Sequence, residues 1–426
     1  MRFLPIARWS DEFSAPGALR ADLLAGLTGA VVVLPQGIAF ATLAGMPPEY
    51  GLYAAIVPCM IAAVFGSSRA MVTGPANAIS LTTMALIAPL AAVESAQYIA
   101  LVLTLSFLVG ILQCAMGLAG AGKLVEKVPH SVIVGFTVGA AILIINSQLG
   151  MLLGLSLGRG LGVVDSVAMA AHEISRGAIN WFSPLLAGLT MIAIMVWRPF
   201  NRIVPAMLVG VIAGSSAALL IESLMVGSVK YERVAAIEAA LPPFSVPDLG
   251  LSTIRDLFGP ALIMVLLASA EAMAIARSVA LRCKDKFDAN QEFIGQGLAN
   301  IGGAFFSSYP ASGSFNRSGV NVSAGAKTPL SAVSAAIFLV LILVFIGPMI
   351  EYLPKVVISA ILLAVAWGLI DLRQIRHEIN AGPVEYLPML ITALGTVFVS
   401  LEWAIVAGVC LAAILKRLIG SRRSHD

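Results

Sequence analysis

The chain has 426 residues, of which 59% are hydrophobic and 12% charged, with a mean hydropathy of +0.95 and a formal net charge of +3. A soluble chain is about 25% charged, so this one lacks the polar side chains to cover a water-facing surface, and its natural solvent is lipid. The basic residues sit beside apolar runs and form no continuous patch, which excludes a nucleic-acid-binding protein. The scattered Cys59, Cys114, Cys283 and Cys410 exclude a disulfide framework, and the histidines have no metal-ligand spacing.

In chain order, residues 1–21 form a charged amphipathic stretch, read as a cytoplasmic segment. The first long apolar run starts near Leu23 and continues past Phe40 with no cleavage site after a short apolar core, so it reads as an uncleaved span. Further spans are expected near 51–66, 74–90, 97–119, 130–150, 182–197 and 203–222, after a first at 22–43, with a weaker candidate at 161–172. The polar stretch 223–256 contains Lys230, Glu232, Arg233, Glu238 and the Pro-rich 241–248, and separates two halves. The second half continues near 257–281, 290–306, 314–326, 329–347, 353–370, 384–399 and 401–418, before a short tail at 419–426. The expected fold class is an all-α membrane protein.

Orientation follows from Lys and Arg, which collect on the cytoplasmic side of short loops. A cytoplasmic N-terminus places Lys123, Lys127, Arg198, Arg202, Arg282, Lys284, Lys286, Arg373, Arg376, Lys416, Arg417, Arg422 and Arg423 inside. Both termini are then cytoplasmic, the number of spans is even, and 223–256 is extracellular.

Two segments break the apolar pattern. In the first, residues 67–80, Gly74 and Pro75 mark a helix start. The stretch from Pro75 to Pro89 is about 15 residues, or ~22 Å of helix, too short for a ~30 Å hydrocarbon core. In the second, residues 307–318, polarity continues through Asn321, Ser323 and Lys327 to Pro329. Each lies about forty residues after the centre of its half's opening span, near Pro35 and Glu271, which is the pointer to inverted repeats with a site at the bilayer midplane. The alternative is a pair of re-entrant loops with a purely structural role.

A helix starting inside the membrane exposes unpaired backbone N–H groups and roughly half a positive charge. Two such ends facing each other suit one small anion. Arg317, in the first turn of the second short helix, adds a cation whose planar fork matches an oxyanion; the alternative is a structural arginine paired with Glu271. Glu271 is the one acid in the apolar run 258–280, where a carboxylate is costly unless protonated or paired, so it reads either as a proton-coupling group or as half of a static ion pair. Gln36, Asn77 and Asn316 are further polar side chains at membrane depth, and Phe40 lies one turn after Gln36. No nucleophile–base pair, metal cluster or phosphate-cradling loop is visible, so neither an enzyme nor a cofactor is expected. His130 reads as a membrane-boundary residue, and His172, His377 and His425 as loop or tail residues.

At these residues the chain resembles the sulfate permease (SulP) family of anion transporters. The first half matches in Ala25-Gly26-Leu27-Thr28, Leu34-Pro35-Gln36-Gly37-Ile38-Ala39-Phe40-Ala41, Pro47-Pro48-Glu49-Tyr50-Gly51-Leu52-Tyr53 and Thr73-Gly74-Pro75-Ala76-Asn77-Ala78-Ile79-Ser80. The second half matches in Glu271-Ala272, Gly295-Gln296-Gly297-Leu298-Ala299-Asn300-Ile301, Tyr309-Pro310, Gly313-Ser314-Phe315-Asn316-Arg317-Ser318 and Ala324-Gly325-Ala326-Lys327-Thr328-Pro329.

The resemblance implies fourteen transmembrane segments in two inverted repeats of seven, 22–222 and 257–418, arranged as a core and a gate domain. Half-helices three and ten would meet at the midplane, transport would be elevator-like, and a homodimer in the plasma membrane would be expected. The family's anion site maps onto Gln36, Phe40, Ala76, Asn77, Ser314, Phe315, Asn316 and Arg317, with Glu271 where proton-coupled members carry a glutamate. The implied activity is proton-coupled symport of a small oxyanion. Sulfate leads; bicarbonate or dicarboxylate transport, anion exchange and an anion channel are alternatives. A sodium site is disfavoured because Ile275 stands one turn after Glu271. Ala76 stands where some relatives carry Phe, which would widen the pocket. Most members continue into a cytoplasmic STAS domain; this sequence stops at Asp426, so that domain is absent from the expected architecture.

Overall fold

The computed structural model describes residues 5–122, 129–155, 157, 162–200, 206–225, 231–234, 241–399 and 401–422. Lys123, Lys127, Arg202, Lys230, Glu238, Arg423 and His425 lie outside the described residues, as do the side chains of Arg417 and Arg422.

Apolar runs set the helices, and prolines and glycines set their ends. After short turns at Pro5–Trp9 and Ser10–Phe13 come α1 (Ala18–Leu43), α2 (Pro48–Tyr53), α3 (Val57–Phe65), strand β1 (Thr73–Gly74), α4 (Asn77–Ile87), α5 (Ala96–Leu118), α6 (His130–Leu153) and α7 (Val163–Ser175). Then follow α8 (Phe182–Phe200), α9 (Ala206–Leu224), α10 (Leu251–Cys283), α11 (Ala289–Phe305), β2 (Ser312–Gly313), α12 (Phe315–Ser323) and α13 (Leu330–Ile346). The chain ends with α14 (Lys355–Leu369), α15 (Leu372–Asn380), α16 (Pro383–Phe398) and α17 (Leu401–Arg422). Among the described residues, eight stretches are long and apolar enough to cross a bilayer, taking α2 with α3 and α14 with α15; α4, α13, α16 and part of α17 are shorter apolar helices.

The chain forms two compact units. The first holds the described parts of Met1–Glu126, Ile192–Ser216 and Glu232–Pro354. Within it α11 lies along α5 and α3, α13 lies along α1 and α3, and α10 packs on α5, β2 and α12. Small residues allow the close approach of α5 and α11: a Cβ on Gly110 would stand 2.6 Å from the Gly297 carbonyl oxygen. Backbones meet this closely where packing rather than hydrophobic exclusion drives helix association. The second unit holds the described parts of Lys127–Met191, Ala217–Tyr231 and Lys355–Asp426. There α6 packs against α14 and α16, and α16 against α17. His130, at the start of α6, shares a 2.8 Å hydrogen bond between Nδ1 and Glu378 Oε1.

Several elements differ from the sequence-based expectation. The run 51–66 is broken into α2 and α3, and Pro58, which has no N–H to give, stands in the first turn of α3. The candidate span 161–172 is α7, whose 13 residues reach only ~20 Å and carry Asp165, His172 and Glu173; it cannot cross, and His172 is helical rather than in a loop. His377 likewise lies inside α15, a short, strongly amphipathic helix. Helix α10 starts at Leu251 rather than 257, just after a turn in which Asp248 accepts from the Gly250 amide at 2.9 Å and from Thr253 Oγ1 at 2.7 Å.

Candidate functional site

The two interrupted segments meet. β1 and β2 pair antiparallel, with Thr73 opposite Gly313 and Gly74 opposite Ser312. The Ser314 amide extends the ladder by donating to the Val72 carbonyl at 3.0 Å. Both strands run directly into a helix. Ala76 caps α4 with φ −132° and ψ 147°, and Ser314 caps α12 with φ −115° and ψ 119°. The α4 helix has 11 residues and α12 has 9, so they extend only ~16 and ~14 Å from this shared origin. Helix α1 packs against both. A two-residue ladder thus holds two helix N-termini side by side; on α12 the Ser314 hydroxyl already accepts from the Arg317 amide at 3.5 Å, which leaves the earlier first-turn amides for a ligand.

Arg317 is the most unusual residue here. It is 2% exposed. Nη1 donates to the Thr73 carbonyl at 3.1 Å, and Nη2 lies 3.8 Å from Cys59 Sγ. Nε is buried and has no hydrogen-bond partner among the described residues. Glu271 Oε2 is also buried with no hydrogen-bond partner among the described residues, and no ion pair joins the two side chains. The static Glu271–Arg317 pair, one of the two readings of the sequence, is therefore not formed. A buried guanidinium without a counter-charge is unfavourable by several kcal/mol, which leaves the site in want of negative charge. Glu271 is nevertheless near by chain position: Ser312 Oγ donates to the carbonyl of Ala268, three residues earlier on α10, at 2.9 Å.

Gly74 is the residue that makes room for this arginine. Its φ is +156°, and a Cβ would sit 2.0 Å from Arg317 Nη1 and 3.2 Å from the Ala54 carbonyl oxygen. Any side chain at this position would displace the guanidinium.

The other predicted residues differ in exposure. Gln36, Phe40, Ala76 and Ser314 are buried, Asn77 is half-buried, and Phe315 and Asn316 are exposed at the start of α12. Gln36 Nε2 lies 3.2 Å from Met207 Sδ, while Oε1 has no partner among the described residues. Ser80 and Tyr309, both buried, share a 3.0 Å hydroxyl hydrogen bond between α4 and the segment leading into β2.

Sequence reasoning missed the scaffold behind the ladder. Glu292, Gln296 and Asn300 repeat at intervals of four along α11 and are all buried. Glu292 Oε2 accepts from the amides of Ser67 at 2.8 Å and Ser68 at 2.9 Å. Asn300 bonds both the amide and the carbonyl of Ala311, at 2.8 and 3.0 Å. The signal was available: three large polar side chains spaced four apart on one stripe of α11 must satisfy something buried.

A charged cluster also went unread. Arg69 binds Glu12 at 2.6 Å and Asp285 at 3.0 Å, and Arg8 binds Asp285 at 2.7 Å. Burial pushes the Asp285 carboxyl up, but the hydrogen bonds from Arg69 and the Lys286 amide and the charges of Arg69 and Arg8 outweigh it and hold it below its ordinary value.

Residues 19–392 match the Sulfate permease family. The chain belongs to that family. Relatives within the sulfate permease family include sulfate transporter 4.1, chloroplastic, of Arabidopsis thaliana, 32% identical over 418 residues that make up 96% of this chain and 59% of the relative. Sulfate transporter 3.1 of the same plant is 32% identical over 99% of this chain and 65% of its own length. A probable sulfate transporter of Mycobacterium tuberculosis is 31% identical over 96% of this chain and 72% of the relative. The chain thus spans about three fifths of the plant relatives, whose length continues beyond the matched region.

Among solved structures, the transmembrane domain of a cyanobacterium bicarbonate transporter, BicA, superposes with a TM-score of 0.79 at 25% identity, covering 94% of this chain and 97% of that one. The murine Solute Carrier 26 family member A9 anion transporter, in the inward-facing state, gives a TM-score of 0.87 at 21% identity, over 97% of this chain and 71% of that one. The sulfate permease family chain therefore has the helical membrane fold of these proteins.

Proposed function

We propose that this chain is the membrane part of a secondary transporter for a small oxyanion, with sulfate as its substrate and H⁺ as the coupling ion. The observation that carries the proposal is the buried, unpaired Arg317 beside two helix N-termini. Each helix end contributes roughly half a positive charge, and the guanidinium adds one. Together they present about two positive charges, which a divalent oxyanion balances. Ser314, the first-turn amides of α4, the Phe315 and Asn316 amides of α12, Gln36 and Asn77 supply donors; Phe40, Phe315 and Ala76 shape the walls, and the Asn316 side chain sits at the exposed edge. The sulfate-transporter relatives support sulfate over other oxyanions.

Glu271 carries the proton. Charged, it subtracts from the positive field that holds the anion; protonated, it leaves that field intact. Anion and proton therefore enter together. Its unpartnered buried oxygen supports this role over a structural one.

The same reading keeps fourteen segments in two inverted repeats, 22–222 and 257–418, with 223–256 outside, both termini in the cytoplasm of a plasma-membrane homodimer, and elevator movement of a core domain. The two short helices at matching places in the halves, and the division into two compact units, support it.

A second reading, bicarbonate transport, is favoured by the likeness to the cyanobacterium bicarbonate transporter. The deciding experiment is uptake of labelled sulfate, bicarbonate and fumarate into proteoliposomes, with and without an inward proton gradient. Sulfate uptake driven by the gradient is expected. Bicarbonate uptake with no sulfate uptake would favour the second reading.

A further inference from the structure

A polar chain runs from α11 to the guanidinium. Glu292 Oε1 accepts from Gln296 Nε2 at 3.0 Å. The same Nε2 donates to Thr73 Oγ1 at 2.8 Å. The Thr73 carbonyl accepts from Arg317 Nη1 at 3.1 Å. Gln296 and Thr73 are among the most buried polar residues of the first unit, at 0% and 1% exposure. Thr73 is one of two residues in β1, and a strand this short cannot fix its own position, since a two-residue ladder contributes few hydrogen bonds. Its carbonyl is the one oxygen bonded to the Arg317 guanidinium among the described residues.

We infer that Gln296 is a positioning residue for the anion site: it holds Thr73, and through the Thr73 carbonyl it sets where the Arg317 guanidinium rests. Glu292 in turn fixes the Gln296 amide, because a carboxylate accepting from Nε2 determines which end of the amide faces Thr73. That arrangement leaves Gln296 Oε1 buried without a partner among the described residues. A buried, unmatched carbonyl oxygen is unfavourable, so the donating orientation is being held against a local cost. Asn300 does the equivalent for the segment leading into β2 through its paired bonds to Ala311. One face of α11 thus aligns both strands, and Gln296 is its contact with the strand that carries the arginine's acceptor.

This inference rests on the proposed anion site, and its test separates the two. Binding of labelled sulfate and the rise in melting temperature with added sulfate are measured for wild type, Gln296→Leu, Thr73→Val and the double exchange Glu292→Gln/Gln296→Glu. Thr73→Val removes only the hydroxyl and keeps the strand. Absence of sulfate binding in wild type would remove the site itself. With wild-type binding present, Gln296→Leu and Thr73→Val are each expected to bind about tenfold more weakly, with KM raised and Vmax near wild type in transport. The double exchange, which restores an amide–carboxylate pair beside Thr73, is expected to recover part of the affinity. A purely structural Gln296 would instead lower the melting temperature and Vmax without moving affinity. Wild-type affinity in Gln296→Leu overturns the inference. If that variant does not fold, wild-type affinity in Thr73→Val overturns it equally.

Discussion

Gly74→Ala is the smallest change that strikes the site from a residue that need not touch an anion. The added methyl would start 2.0 Å from Arg317 Nη1, where ordinary contact begins at 3.4 Å, so the guanidinium must retreat by roughly 1.4 Å or the strand must move. Retreat breaks the 3.1 Å bond from Nη1 to the Thr73 carbonyl. Loss of a hydrogen bond from a charged group is worth about 1.5–3 kcal/mol. Holding an alanine at φ +156° adds strain of about 1–3 kcal/mol. The total, about 2.5–6 kcal/mol, is divided between stability and anion affinity. Thermal unfolding in detergent and equilibrium binding of labelled sulfate measure the two parts. A melting temperature clearly below wild type, with sulfate affinity reduced at least about tenfold, is expected. Unchanged values for both would refute the placement of Arg317 against Gly74.

Glu271→Gln removes the proton site while keeping shape and polarity. Gradient-driven uptake should be lost while sulfate binding persists, as read in proteoliposomes with an imposed pH step; uptake that still follows the gradient would exclude Glu271 as the coupling group. At the Arg8–Asp285–Arg69–Glu12 cluster, the folded-state pKa of Asp285 is lowered, so its stabilising contribution is complete above the unfolded value of about 3.9. That contribution disappears as pH falls through the lowered folded value. Protease cleavage near the N-terminal turn, or Trp9 fluorescence, should therefore be steady from neutral pH down to about 4 and change only in stronger acid, whereas Asp285→Asn should loosen the segment already at neutral pH.

The long helices were legible because hydrocarbon demands uninterrupted apolar runs, and those runs stand out against a chain with so little charge. The two short helices were legible for the opposite reason, since Gly74-Pro75 and the polar stretch around Arg317 cannot face lipid. Helix breaks within apolar sequence were harder. Pro58 sits inside a run, 51–66, that carries no charged residue, so α2 and α3 read as one. Helix α7 misled because Val163, Val164, Val167 and Met169 give it apolar weight without span length. At the site, residue types revealed the ingredients but not their partners. Nothing in the spacing of Glu271 and Arg317 says whether they pair, because that depends on which way two side chains on different helices turn. Gln296 lay inside a recognised motif, yet its role is visible only once Thr73 is seen against it.

The central claim is that an unpaired buried guanidinium at two converging helix ends holds the substrate's negative charge. Arg317→Ala, compared with wild type for equilibrium binding of labelled sulfate to purified protein, tests it most directly. Saturable binding present in wild type and gone in the variant, with the variant still folded by its melting transition, is the predicted result. Wild-type affinity in folded Arg317→Ala would contradict the account.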